Sequence, residues 1–158
     1  MTSEEDDESY TRFFRETEPK LRRALIAAVG GEAGREAAAV ALEYAWEHWE
    51  RIRAMDNPAG YVYRVGRSRG GKLAASNKRC FPAPLAASDR IPWVEPKLSN
   101  ALERLTEKQR TAVMLVHGLD WTLTEVADLL SISPGSVNKH AQRGLTKLRT
   151  ALEVEVNA

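Results

Sequence analysis

Apolar side chains recur at helical spacing along most of this chain, and no stretch alternates as a strand would. Phe13, Phe14, Leu21, Leu25 and Ala28 predict a helix over residues 10–28, stopped by Gly30-Gly31. Ala38, Leu42, Ala45, Trp46, Trp49 and Ile52 form one broad stripe and predict a second helix over residues 32–55. Asn57-Pro58 reads as an N-cap with proline at the first helical position, opening a third helix with Tyr61, Val62, Val65 and Leu73. Gly70-Gly71 weakens that helix by about 1 kcal/mol per glycine. From Cys80 to Pro96, Pro82, Pro84, Pro92 and Pro96 interrupt any period, which predicts a partly stiff linker.

Beyond the linker the punctuation is sharper. Thr106-x-x-Gln109 and Thr122-x-x-Glu125 are capping boxes, in which the hydroxyl accepts from the third backbone N–H. Ser133-Pro134 starts a last helix whose apolar positions are Val137, Ala141, Leu145 and Leu148. A short helix, a turn of Ser131-Ile132-Ser133 and a second capped helix make a helix-turn-helix pattern. Burying Val137, Ala141 and Leu145 leaves Ser136, Lys139, His140 and Arg143 on the opposite side. An exposed helix start with such side chains suits a major groove: cations meet phosphate while polar groups reach base edges.

Charge strengthens this reading. The 158 residues carry 23 basic and 22 acidic side chains, but unevenly. Residues 1–50 hold 6 basic against 12 acidic groups, whereas residues 51–80 hold 8 basic against one acidic, Asp56. A second basic stretch spans residues 131–151, with Lys139, Arg143, Lys147 and Arg149 and no acid. Two cationic stretches on a near-neutral chain point to two places that meet polyanion, against the plainer alternative of two solvated helix faces. In the first stretch Tyr61 and Tyr63 lie among Arg64 and Arg67; cations for the backbone and aromatic faces for stacking suit single-stranded DNA. For Trp46, Trp49 and Tyr61, ordinary core packing is the competing explanation.

Other classes find little support. No apolar run is long enough to cross a membrane, and the acidic start is unlike a secretory signal. The lone Cys80 and the scattered His48, His117 and His140 suggest neither a disulfide nor a zinc site. No phosphate loop or catalytic pairing stands out, so we expect no enzyme, no cofactor, no metal and no small-molecule substrate. The acidic run Glu4–Glu8 is expected to be disordered.

The run Leu102–Leu115 (LERLTEKQRTAVML), followed by Leu119–Arg149 with its WTLTEVADLLSISPGSVNKHAQRGL core, resembles region four of extracytoplasmic-function sigma factors. Ala45-Trp46-Glu47-His48-Trp49 and Asn57-Pro58-Ala59-Gly60-Tyr61-Val62-Tyr63-Arg64-Val65 resemble region two of the same family more loosely. The resemblance implies an all-α chain of two small helical domains, region two over residues 9–79 and region four over 99–153, joined by a proline-rich linker at 80–98. It implies a cytoplasmic promoter-specificity subunit whose partners are promoter DNA, core RNA polymerase and possible anti-sigma factors. DNA contacts are then expected from Ser136, Lys139, His140, Arg143 and Lys147 at the minus-thirty-five element. Tyr61, Arg64 and Arg67 would face the melted minus-ten strand, and Glu36, Glu43 and Glu47 the polymerase.

Three stretches depart from the family. Ser131 stands where glycine usually takes the left-handed turn. Glu36-Ala37-Ala38-Ala39-Val40 replaces an acidic-Leu-Val-Gln-Glu run in the polymerase-binding helix. Ser68 and Lys72 replace the usual Asn and Asp of the minus-ten helix. These departures leave two alternatives open: a sigma-like DNA-binding regulator that no longer recruits polymerase productively, or a decoy that does not read DNA.

Overall fold

The computed structural model describes residues 4–76 and 96–157. The expected linker therefore lies almost wholly outside the described residues, as do Cys80 and two cations of the first basic stretch, Lys78 and Arg79. The order is α1 (Glu4–Val29), α2 (Gly31–Glu47), α3 (Trp49–Ile52) and α4 (Pro58–Ser76), then α5 (Pro96–Glu103), α6 (Glu107–Val113), α7 (Leu123–Leu130) and α8 (Pro134–Asn157). A π-helical turn, Met114–Gly118, follows α6. Among the described residues there is no strand, and no helix is long and apolar enough to cross a membrane.

Close helix crossings build the first half. A Cβ on Gly34 would come within 2.6 Å of the Ile26 backbone, so glycine there lets α2 lie directly on α1. Gly66 meets Leu25 and Ala41, and Gly70 meets Val29 and Ala37, so the glycines that weaken α4 in isolation seat it against both neighbours. The Gly30 stop is real, with φ 103°. The single helix expected over residues 32–55 instead breaks at His48, whose ring Nδ1 lies 3.0 Å from the Tyr44 carbonyl oxygen.

The acidic Glu4–Glu8 run is helical rather than disordered. Four acids sit in the first turn of α1, where they complement the positive end of the helix. Packing then secures the start: the Tyr10 hydroxyl donates to the Leu42 carbonyl at 2.7 Å, the Trp49 indole donates to Ser9, and Asp6 pairs with Arg53.

The two halves share a core. Leu21, Leu25, Ile52 and Val62 belong to one cluster with Leu115, Val126 and Val137, each at most 1% exposed. Fully burying such an aliphatic side chain contributes about 1.5–3 kcal/mol over leaving it in water. Tyr63 is buried as well, 3% exposed, in contrast to the stacking role its position in the basic stretch suggested. Burial first, and then the nearby Glu107 carboxylate, raises the Tyr63 pKa well above the ordinary phenol value.

Candidate nucleic-acid interface

The recognition half is built from its caps. The Thr106 side chain accepts from the Gln109 N–H at 3.2 Å while the Gln109 side chain accepts from the Thr106 N–H at 3.3 Å, a complete capping box opening α6. Thr122 accepts from the Glu125 N–H at 3.1 Å and donates to its carboxylate at 3.2 Å. That hydroxyl, then Lys20, holds the Glu125 carboxyl below its ordinary pKa. Ser131 takes the left-handed conformation at φ 58°, ψ 43°, with no glycine to ease it. Ser133 caps α8 by accepting from the Ser136 N–H at 3.1 Å.

These caps set the rotation of α8. Val137, Ala141 and Leu148 are buried, and Gly144 lets α8 approach α6 so closely that an added Cβ would lie 2.6 Å from Val113. Lys139 and Arg143 therefore point outward and are exposed, while Ser136 and His140 are half-buried on the same side. Ser136, Lys139, His140 and Arg143 come together as one strip, with two qualifications. The Ser136 hydroxyl accepts from Ser133 at 2.9 Å, and the Lys147 ammonium donates to Gln109 Oε1 at 3.1 Å. The His140 pKa lies below the ordinary imidazole value, through partial burial first and then the charges of Lys108 and Arg143.

The second cationic region is organised differently. Tyr61 and Arg64 line a cleft of about 720 Å³ between α2 and α4, together with Glu36, Val40, Tyr44 and Arg69. Arg67 faces away from it and pairs with Glu107 of α6. Glu36 thus shares a cleft with the cations of α4, while Glu43 borders a shallow depression beside Tyr10 and Trp46, and Glu47 is exposed. Trp46, expected in the apolar stripe, is 38% exposed, with its ring centroid 4.9 Å from that of Tyr10.

Sequence reasoning missed the centre of the cleft. Tyr44 accepts a hydrogen bond from Arg51 at 3.0 Å, stacks on His48 at 4.2 Å and lies beneath Arg69 at 5.8 Å. Arg51 in turn sits 5.9 Å above the Tyr61 ring. Hydrogen bonds from Tyr61, then Arg51, lower the Tyr44 pKa, and the partner Tyr61 is raised. The basic stretch announces Arg51 and Arg69, but only the pairing of α2 with α4 brings Tyr44 to them. Chemically, the cleft offers aromatic faces, phenol oxygens and oriented guanidinium groups. Among the described residues no group of side chains could hold a metal ion.

Comparison with known proteins agrees with this architecture. Residues 96–148 match the family model for sigma-70, region 4. Over 86 residues the chain is 38% identical to the RNA polymerase sigma factor CarQ of Myxococcus xanthus, a match covering 52% of this chain. The match takes in 49% of that relative, so the chain spans about half the length of the curated protein it resembles. Among solved structures, the sigma factor RpoE from Bartonella quintana, in complex with the anti-sigma factor NepR, superposes with a TM-score of 0.60. That superposition covers 92% of this chain and 98% of the other at 16% identity, and so speaks for the fold alone. Residues 96–148, the capped helices and exposed cationic strip described above, are thus similar to a sigma-70 region 4 domain.

Proposed function

We propose that this chain is an RNA polymerase sigma factor of the extracytoplasmic-function type, directing promoter recognition and transcription initiation in the cytoplasm. In this reading α8 enters the major groove at the minus-thirty-five element. Lys139 and Arg143 contact phosphates, with Lys147 further along, while Ser136 and His140 reach base edges. Tyr61 and Arg64 meet the melted minus-ten strand at the α2–α4 cleft, and Glu36, Glu43 and Glu47 face core polymerase. The chain performs no chemistry of its own; it positions the polymerase. An anti-sigma factor is a further candidate partner, since the RpoE superposed above is bound to one.

The observation that carries this reading is the orientation of α8. Its apolar side is buried against α6 and α7, and its Lys139 and Arg143 stand in solvent. A second reading has specific support too. Ala39 is exposed and Val40 half-buried on α2, where the family presents polar Gln and Glu to polymerase. A chain lacking those hydrogen-bonding groups would bind its site without recruiting polymerase.

Native pull-down with purified core polymerase separates the two. Retention by the unaltered chain, strengthened by Ala39→Gln with Val40→Glu, supports the sigma factor. Duplex binding without retention supports the regulator.

A further inference from the structure

The α2–α4 cleft has a direction. Glu36, Val40 and Tyr44 follow one another at four-residue spacing along α2, so Glu36 and Tyr44 stand at opposite ends of about 12 Å of helix axis. Helix α4 runs antiparallel to α2, with Gly66 facing Ala41 and Gly70 facing Ala37, which puts Tyr61 and Arg64 at the Tyr44 end. Arg69 reaches the same end, its guanidinium 5.8 Å from the Tyr44 ring, and Arg51 donates to the Tyr44 hydroxyl there at 3.0 Å. Three guanidinium groups and two phenols therefore gather at one end, Val40 and Val65 line the middle, and a carboxylate stands at the other. Among the described side chains no cation pairs with Glu36, and no acid pairs with Arg51, Arg64 or Arg69.

That order matches the parts of a nucleotide. The volume of about 720 Å³ falls within the range of about 300–1,000 Å³ usual for small-ligand sites. Guanidinium and phenol donors suit phosphate oxygens, and the two valines offer apolar walls to a flat ring. An ionised carboxylate only accepts hydrogen bonds. Guanine presents two adjacent donors, N1–H and the 2-amino group, one for each carboxylate oxygen. Adenine and cytosine set a single amino group beside a ring acceptor, and thymine sets one N–H between two carbonyls. A continuous strand fits the length of the groove less well. It carries one phosphate charge per nucleotide against three guanidinium groups, and threading it along the groove would bring the next phosphate toward Glu36.

We propose that the α2–α4 cleft binds a free guanine nucleotide with two or more phosphates, its base edge on Glu36 and its phosphates on Arg51, Arg64 and Arg69. Val40 keeps the groove open to it. A carboxylate at position 40, where the family run has glutamate, would stand mid-groove and repel the phosphates. The consequence for DNA rests on the reading of Tyr61 and Arg64 as minus-ten contacts given above. Both ligands need Arg64, so bound nucleotide excludes the single strand and leaves the α8 strip free for duplex.

The test titrates the full chain with GDP carrying a fluorophore on its ribose, read by anisotropy, with unlabelled GDP, GMP and ADP as competitors. GDP should compete about tenfold better than either GMP or ADP. Glu36→Gln, at an exposed position, should remove the preference for guanine over adenine. Arg69→Met, also exposed, and Val40→Glu should each weaken GDP binding about tenfold, with circular dichroism showing retained helix. GDP should also displace a fluorescent single-stranded oligonucleotide from the chain and leave bound duplex in place. Equal competition by ADP and GDP, a guanine preference that survives Glu36→Gln, or GDP binding untouched by Arg69→Met would overturn the site. A guanine-containing oligonucleotide that binds where GDP does not would overturn it too, since the cleft would then take guanine only within a strand. GDP that binds without displacing the oligonucleotide would overturn the exclusion. None of these outcomes involves polymerase, so failure here is distinguishable from failure of the sigma-factor reading, which pull-down reports.

Discussion

Both α4 and α8 carry cationic side chains, and the two helices use them in different ways. On α8, Lys139 and Arg143 are exposed, and among the described residues no acid lies within ion-pair distance of either. In the α2–α4 region, Arg53 pairs with Asp6, Arg67 pairs with Glu107, and Arg51 and Arg69 lie over tyrosine rings. Exposed, unpaired cations suit the phosphates of any duplex, with affinity that falls steeply with salt. Cations held over aromatic rings are already oriented, which suits a site that sorts unstacked bases by shape. Equal charge on a sequence therefore describes two kinds of surface.

The largest effect that would break this contrast is expected at Arg110. Replacing it with Met leaves the Ala27 and Ala28 carbonyls buried without their cap, and we expect a loss of about 3 kcal/mol in denaturant unfolding. Next comes the α8 strip itself. Lys139→Ala with Arg143→Ala should weaken duplex binding strongly and lower its log–log salt slope by about two, one per phosphate contact. Single-strand binding should change far less, and an equal loss of both would erase the distinction between the surfaces.

Two smaller effects sharpen it. Ser131→Gly removes a side chain from a left-handed position and should stabilise the helix-turn-helix by about 1 kcal/mol, a rise of a few degrees in Tm. The smallest is a proton. His140 is held below its ordinary pKa in the free chain, so it is neutral at pH 7, and adjacent phosphate would favour the charged form. Duplex affinity should therefore rise modestly as pH falls from about 7.5 toward 5.5, and His140→Gln should remove that dependence. The same depression has a stability consequence. The unfolded chain binds the proton more readily, so the contribution of neutral His140 is intact above the unfolded imidazole pKa and is lost as pH falls through the folded value.

Much of the recognition half was legible because its signals are local. Thr106, Thr122 and Ser133 announce helix starts within three residues of themselves, and the spacing of Val137, Ala141 and Leu148 fixes which side of α8 is buried. The open side follows without knowledge of the rest of the fold. What escaped the sequence depends on contacts between distant segments. Arg110 looks like one more surface cation in a charged helix, and only α1 ending beside it explains why it is buried. Tyr63 reads as an available stacking face until α6 covers it. The acidic start reads as a solvated tail, since nothing local shows that Asp6 meets Arg53 or that Ser9 meets Trp49. Tyr44 carried no signal at all, because its partners lie on other helices.

The central claim is that the outward side of α8 reads a promoter for a polymerase that the rest of the chain recruits. In vitro transcription with purified core polymerase, on a site first mapped by genome-wide occupancy, tests it most directly. The account predicts transcripts with one defined start downstream of the α8 footprint, abolished by Lys139→Ala with Arg143→Ala. Defined transcripts that persist undiminished in that double variant would contradict it.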